Sequence, residues 1–221
     1  SSYASNQLQS LNFDNGIFEL DPVCGEKTAL VMVPWYLPNA AIHYIEQIAI
    51  TMKKKGYKLH LFIYWEQYAP QNVNRNVWDR VFFQHASNPY FSHSNYSENR
   101  MDADHIDDWV DADFLQSIVR LNEHYKYSAC MANYLFYSKA FDVLSPAVKK
   151  ILCTHDKFAN HNKSLHNAGY PEWSFWFGVG TEEEEARALR RADVVLAIQE
   201  DDCKYFRRIV NNEVKIITFP F

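Results

Sequence analysis

The sequence predicts an α/β fold in which short buried strands alternate with amphipathic helices. Short apolar runs such as Thr28–Pro34 and Lys149–Thr154 are typical of strands buried on both faces of a parallel sheet. Between such runs, apolar residues recur at three- and four-residue spacing, which indicates helices. Because crossovers between parallel strands are right-handed, this alternation predicts a Rossmann-like, doubly wound, mainly parallel sheet with helices on both faces.

The first predicted elements form a strand–helix–strand unit. A helix at Ala40–Lys55 separates the strand at Thr28–Pro34 from one at Tyr57–Tyr64. The helix ends in three lysines, which favour the negative end of its dipole, and Gly56 follows as the residue that closes it. This is the size expected of a βαβ unit.

Residues 66–111 carry weaker patterns. Val77, Val81 and Phe82 would share one side of a helix, so we expect a helix at Asn74–His85. Residues 88–111 are polar and aromatic with little periodicity, and a stretch of this length within a compact domain is often functional.

Regular alternation resumes after residue 111. The clearest helix signal begins at Thr181, which forms a capping box with Glu184. Four glutamates in its first turn and Arg190 and Arg191 in its last turn complement the helix dipole. Residues 160–180 are expected to be irregular. The other expected elements are a helix at Phe114–Tyr125, a strand at Ser128–Tyr134, a short helix near Ser138–Leu144, a strand at Lys149–Thr154, a helix at Thr181–Ala192, a strand at Asp193–Gln199, a helix at Glu200–Val210 and a strand at Val214–Thr218.

Composition excludes several classes of protein. The net charge of −5, with both signs mixed along the chain, argues against a nucleic-acid partner. No apolar run approaches the roughly 18 residues that span a bilayer. The glycine fingerprint of dinucleotide-binding oxidoreductases is absent, as are P-loop, HExxH and GxSxG motifs. No two of the four cysteines have the spacing of a zinc site, and we expect free buried thiols.

Candidate site residues follow the strands, because ligands of open α/β sheets bind beyond the carboxyl ends of the strands. Asn39–Ala41 opens a helix whose free N–H groups attract anions, although an ordinary βα turn explains it equally well. His155 and Asp156 end another strand, where a histidine is either structural or a general base, a phosphate contact or a sugar-hydroxyl partner. Glu200 follows a third strand and either caps a helix or contacts ligand.

Residues 102–113 contain a cluster of acidic side chains and one histidine. It lacks the glycine and terminal glutamate of an EF-hand loop, so a solvated face of a short turn or helix is the main interpretation, with a metal site as the alternative. Its members are Asp102, Asp104, His105, Asp107, Asp108, Asp111 and Asp113.

Four segments, in this order, carry a family resemblance. They are the helix ending in Lys53–Tyr57, then Ile106–Trp109 with Asn133–Ser138, then Lys150–Asp156 ending in Thr-His-Asp, and Ala192–Glu200. Together they resemble the N-terminal domain of bacterial GT-B glycosyltransferases of the retaining, family-four-like type, from about Thr28 to Phe221.

The resemblance implies one half of a two-domain enzyme with its active site in the cleft between the halves. Residues 1–15 would be a flexible segment and residues 16–221 the acceptor-side domain, with the donor-binding C-terminal domain absent and this chain inactive alone. The whole enzyme would move sugar from a nucleotide-sugar to a glycan or lipid-linked acceptor in surface polysaccharide or glycoprotein glycan synthesis. It would work without metal or cofactor, in the cytoplasm, with peripheral association at the inner face of the membrane left open. The alternative is a non-enzymatic Rossmann-like module that binds a glycan or protein.

The resemblance also assigns residues. It implies His155 and Asp156 as catalytic residues, with His155 contacting the donor sugar or its phosphates. The implied substrate-binding residues are Asn39, Ala40, Ala41, His43, Tyr134 and Glu200. Two positions depart from the family pattern: its phosphate loop usually carries glycines where this chain has Asn39 and Ala40, and Gln199 or Glu200 replaces a serine.

Overall fold

The computed structural model describes residues 9–10, 27–64, 72–85, 106–170 and 181–220. These residues belong to two compact units. The first draws on Ser1–Ser87, Ala112–Asn133 and Val143–Lys149, and the second on Asn88–Asp111, Tyr134–Asp142 and Lys150–Phe221. No helix among the described residues is both long enough and apolar enough to cross a membrane.

The first unit is built around parallel strands. Its elements are β1 (Gln9–Ser10), β2 (Thr28–Val33), α1 (Ala40–Lys54), β3 (Lys58–Tyr64), β4 (Arg80–Gln84), α2 (Ala112–Tyr125) and β5 (Ala129–Asn133). The strand order is β1-β4-β3-β2-β5, with all pairs parallel except β1 with β4. The chain leaves β2 toward β3 and β4 on one side and returns as β5 on the other. The carboxyl ends of β2 and β5 therefore form a topological switch point, the usual ligand-binding place in such sheets.

The predicted βαβ unit is confirmed, and its ends show why it forms. Every residue of β2 is buried, as its uninterrupted apolar run requires. Asn39 caps α1 by accepting a hydrogen bond from the Ile42 N–H at 3.0 Å. Gly56 has a φ of +88° after the last turn, a conformation that favours glycine.

The helix expected at Asn74–His85 is wrong: Asn74–Val77 form a turn and Arg80–Gln84 form β4. The spacing of Val77, Val81 and Phe82 fits a helix, but all of Val81–Gln84 is buried, so no polar face remains for solvent. A five-residue run that includes a valine and two phenylalanines after an asparagine-rich turn forms a strand instead.

The second unit continues the alternation. Its elements are the 3₁₀ helices η1 (Ile106–Trp109) and η2 (Leu135–Val143), then β6 (Lys149–Cys153), α3 (His161–Asn167), α4 (Glu182–Arg190), β7 (Val194–Ala197), α5 (Glu200–Ile209) and β8 (Lys215–Thr218). The strands are ordered β6-β7-β8 and are parallel. The short helix expected near Ser138 is η2, and α3 occupies part of the stretch expected to be irregular. The predicted fold class, a Rossmann-like α/β fold with mainly parallel strands, is confirmed.

Cysteine burial agrees with expectation. Cys130, Cys153 and Cys203 are free and fully buried in the cores of their units. Cys24 lies outside the described residues. At these positions the thiols act as small apolar side chains.

Candidate functional site

The candidate site of the second unit begins where β6 ends. Thr154 still bonds β7 through its N–H to the Leu196 carbonyl at 3.2 Å, and the chain then turns sharply. The Asp156 N–H donates back to the Thr154 carbonyl at 2.7 Å, which places His155 at the turn with a φ of +61°. Left-handed backbone at a residue other than glycine is uncommon, and such conformations concentrate at functional sites.

Tyr134 is a second residue with left-handed backbone, at a φ of +74°. Its N–H donates to the Cys153 carbonyl at 2.9 Å, which brings its ring over His155. The two rings stack with centroids 4.5 Å apart and planes 29° from parallel. The Tyr134 ring also stacks against Phe136, with centroids 5.5 Å apart. A bulky aromatic residue rarely adopts this backbone unless its surroundings enforce it.

Burial decides the charge of His155. The residue is 8% exposed, and desolvation lowers the pKa of its imidazole to about 4. The ring is therefore neutral near pH 7 and offers one N–H donor and one acceptor nitrogen. Such an imidazole is a weak base, so this environment favours hydrogen bonding to a hydroxyl or phosphate oxygen over proton abstraction.

Asp156 lies beside the buried histidine at the surface of the turn. Desolvation raises the pKa of its carboxyl, His161 opposes that change, and the negative charge of Asp202 adds to it. Asp202 is buried in the first turn of α5 and is held by Lys157 at 3.2 Å and by the Gln199 amide at 3.1 Å. Two carboxylates and one lysine thus approach one another beyond the ends of β6 and β7.

Glu200 is placed at the start of α5, but Gln199 is the N-cap of that helix. The Glu200 side chain is 56% exposed and accepts a hydrogen bond at 2.7 Å from the hydroxyl of Thr218, the last residue of β8. Its carboxylate therefore links α5 to β8 and remains open to solvent.

The other candidate residues lie at the start of α1, in the first unit. Asn39, Ala40 and His43 are exposed and Ala41 is half-buried, at the switch point beyond β2. The preceding loop is anchored because the Tyr36 hydroxyl accepts from the Asn74 N–H at 3.0 Å and donates to Glu46. Because the Asn39 side chain already occupies the Ile42 N–H, it satisfies one of the donors that an anion would otherwise contact. The structure thus gathers Tyr134, His155, Asp156 and Glu200 in one unit and the α1 residues in the other.

Sequence reasoning missed Glu185, which was grouped with its three neighbours as a surface glutamate that favours the helix dipole. Its side chain is fully buried and accepts from the Phe158 N–H at 2.9 Å, the Ala159 N–H at 3.3 Å and the Tyr205 hydroxyl at 2.7 Å. Desolvation raises the pKa of Glu185, and these hydrogen bonds oppose that change. Its helical position was the available signal, because it lies three and four residues before the buried Ala188 and Leu189.

Within the acidic cluster, Asp107 forms ion pairs with two arginines. Its carboxylate oxygens lie 2.8 Å from Arg187 and 2.7 Å from Arg191. Burial raises the pKa of Asp107, but hydrogen bonds from the two guanidiniums outweigh burial and hold it well below its usual range. Asp102, Asp104 and His105 lie outside the described residues, among which no group of three or more histidine, cysteine or carboxylate side chains is placed to hold a metal ion.

Comparison with known proteins finds similarity to this chain in structure but not in sequence. No protein-family profile matches the chain, and no curated protein is similar to it in sequence. Among solved structures, sucrose-phosphate synthase from Thermosynechococcus elongatus superimposes with a TM-score of 0.58 at 12% identity, over 88% of this chain and 48% of that one. UGT2 from Phytolacca americana, complexed with UDP-2fluoro-glucose and pterostilbene, gives 0.54 at 10% identity, over 89% and 54%.

A third similar structure is the N-terminal domain of trehalose-6-phosphate phosphatase from Candida albicans, with a TM-score of 0.52 at 11% identity, over 93% of this chain and 50% of that one. The chain therefore spans about half the length of each of these three structures. At such identities the likeness concerns the fold alone. The chain shares a Rossmann-like α/β fold with GT-B glycosyltransferases.

Proposed function

We propose that this chain is the acceptor-side, N-terminal half of a glycosyltransferase that moves sugar from a nucleotide-sugar donor. Two features support the proposal together. The fold is shared with sucrose-phosphate synthase and with UGT2, whose structure holds UDP-2fluoro-glucose and pterostilbene. The residues beyond the strands of the second unit are arranged to contact hydroxyl and phosphate oxygens.

The stacked pair of Tyr134 and His155, both in left-handed backbone, carries the proposal. The buried, neutral imidazole of His155 presents a hydrogen-bond donor to a phosphate or sugar oxygen without the cost of burying a cation. The partly exposed ring of Tyr134 stacks on this imidazole and helps to hold it in position. Asp156 adds a carboxylate acceptor for hydroxyl groups. Such groups act mainly by positioning and electrostatic stabilisation of charge that develops during transfer.

The finer assignments belong to the same proposal and rest on the sequence resemblance. They are a bacterial, retaining, family-four-like enzyme, a glycan or lipid-linked acceptor, and a role in surface polysaccharide or glycoprotein glycan synthesis at the cytoplasmic side of the membrane. A C-terminal domain would bind most of the donor. Asn39, Ala40, Ala41 and His43 would face the donor phosphates, and Glu200 would contact substrate.

The experiment uses the full-length protein that contains this chain. Release of nucleotide from UDP-glucose, UDP-galactose, UDP-N-acetylglucosamine and GDP-mannose is measured with a polysaccharide or lipid-linked acceptor fraction. We expect His155→Ala to lower kcat/KM by roughly 100-fold, the scale of losing one positioned hydrogen-bond donor. His166→Ala, which removes a histidine of α3 in the same unit, is the matched control and should retain wild-type rates.

Three results would count against the proposal. Transfer at ordinary rates by the isolated 221-residue chain would contradict a half-enzyme. Wild-type kinetics in the His155→Ala enzyme would show that His155 is not part of the transfer site. Glycan binding by the full-length protein without turnover of any nucleotide-sugar would favour the non-enzymatic binding module instead.

A further inference from the structure

We infer that Glu185 is a positioning residue, which holds the segment after His155 in the conformation that the sugar-transfer site needs. The inference concerns residues 154–159, called here the His155 loop, and it rests on the function proposed for that loop. Glu185 lies on α4 and would not touch substrate. Its carboxylate acts on the backbone of the loop.

The contacts converge on one buried carboxylate. One oxygen accepts from the Phe158 N–H at 2.9 Å, and the other accepts from the Ala159 N–H at 3.3 Å and the Tyr205 hydroxyl at 2.7 Å. An ionised carboxylate is an acceptor on both oxygens, so it satisfies all three donors at once. The Glu185 side chain is 0% exposed, and it is therefore enclosed between α4, α5 and the loop.

The anchored residue Phe158 connects Glu185 to the site. The Phe158 ring packs edge-on against Tyr134, with centroids 6.5 Å apart, and against Phe136 at 6.1 Å. Tyr134 in turn stacks on His155 at 4.5 Å. Displacement of Phe158 would remove the support of this stack, and the left-handed turn at His155 would relax toward an ordinary backbone conformation.

The chemistry of the carboxylate explains why another residue would fail here. A glutamine at position 185 has one acceptor oxygen, so its amide group would point two hydrogens toward backbone N–H or hydroxyl donors. It has nearly the same volume and carries no charge. Glu185→Gln therefore alters the anchoring of the loop while it leaves the packing of α4 nearly unchanged.

A spectroscopic experiment on the full chain tests the inference without substrate. The His155 Cε1–H signal is followed by NMR across pH in wild type, Glu185→Gln and Tyr205→Phe, and thermal unfolding is measured in parallel. We expect Glu185→Gln to move the ring-current shift of His155 and to raise the pKa of His155 from about 4, with at least a tenfold gain in proton affinity as the ring becomes exposed. Tyr205→Phe, which removes one donor to the carboxylate and keeps the ring, should move both signals in the same direction by less.

Glu183→Gln is the matched control, since this neighbouring glutamate of α4 is 79% exposed and contacts Arg190. It should leave the His155 signals unchanged. A folded Glu185→Gln protein with wild-type His155 shift and titration would overturn the inference, even if its melting temperature fell. Should Glu185→Gln fail to fold, unchanged His155 signals in Tyr205→Phe would overturn it equally.

The kinetic arm separates this inference from the proposed function. In the full-length enzyme, Glu185→Gln is expected to lower kcat/KM for the nucleotide-sugar by roughly 10- to 100-fold, the effect of a small misplacement of a site group. If the His155 signals move but the wild-type protein turns over no nucleotide-sugar, the positioning role stands and the proposed function fails.

Discussion

The buried imidazole of His155 should make the stability of the protein depend on pH in a defined direction. His155 is 8% exposed, and its pKa is about 4 in the folded chain against an ordinary value of 6.5. Between these values the unfolded chain binds a proton that the folded chain does not. The free energy of unfolding therefore rises as pH increases through this window. The contribution of His155 is fully present above pH 6.5 and is lost as the pH falls to 4.

The size of the effect follows from the two pKa values of His155. Each tenfold difference in proton affinity is worth about 1.4 kcal/mol, so the full difference corresponds to about 3 kcal/mol below pH 4 and about 2 kcal/mol at pH 5. Asp156 and Glu185 act with the opposite sign, because their carboxyl pKa values are raised in the folded state. Only a difference between wild type and a variant isolates the histidine.

The assay is urea unfolding at pH 8 and pH 5 of wild type and His155→Asn. Asparagine suits the left-handed backbone and does not titrate in this range, so it removes the charge change with little added strain. The pH-dependent loss of stability should be about 2 kcal/mol smaller in His155→Asn than in wild type. His43→Gln, which removes an exposed histidine of α1, should keep the wild-type dependence. Equal pH dependence in wild type and His155→Asn would refute the account of a buried neutral imidazole.

Two further substitutions test other parts of the structure by the same unfolding assay. Asn39→Ala should lower the free energy of unfolding by about 1 kcal/mol because the Ile42 N–H loses its cap, whereas Asn39→Ser should retain most of it, and equal losses would contradict the capping role. Asp107→Asn should cost about 1–3 kcal/mol because Arg191, whose side chain is 11% exposed, is left with its longer ion pair to Asp142, and Arg187 is left with Glu184. An Asp107→Asn protein as stable as wild type would show that this ion-pair network contributes nothing net.

Much of the fold could be predicted because its signals are local. The apolar run Ala29–Val33 of β2, the cap at Asn39 and the glycine after α1 each express a preference of a few adjacent residues. The error at Arg80–Gln84 arose where two periodicities fit the same short segment. There, burial of all of Val81–Gln84 selected a strand, and burial depends on what packs around a segment.

The candidate site could be predicted only in part, for a related reason. The sequence placed His155 and Asp156 at the end of a strand, and the structure agrees. It contained no signal for the left-handed backbone of Tyr134, since tyrosine has no preference for that conformation. The hydrogen bond to the Cys153 carbonyl and the stacking on His155 accompany it, and both are contacts between segments about twenty residues apart in the sequence.

The four glutamates at residues 182–185 all fit the helix-dipole rule, but that rule does not reveal that Glu185 is buried and the others are not. A helix dipole favours all four carboxylates at the N-terminus equally, so it cannot rank them. Their directions around the helix differ by about 100° per residue, and Glu185 is the one of the four that is buried, together with Ala188 and Leu189. A carboxylate on the buried side of a helix is costly unless donors meet it. Glu185 meets two consecutive backbone N–H groups of the His155 loop, and its burial is therefore better explained by what it holds in place than by the helix to which it belongs.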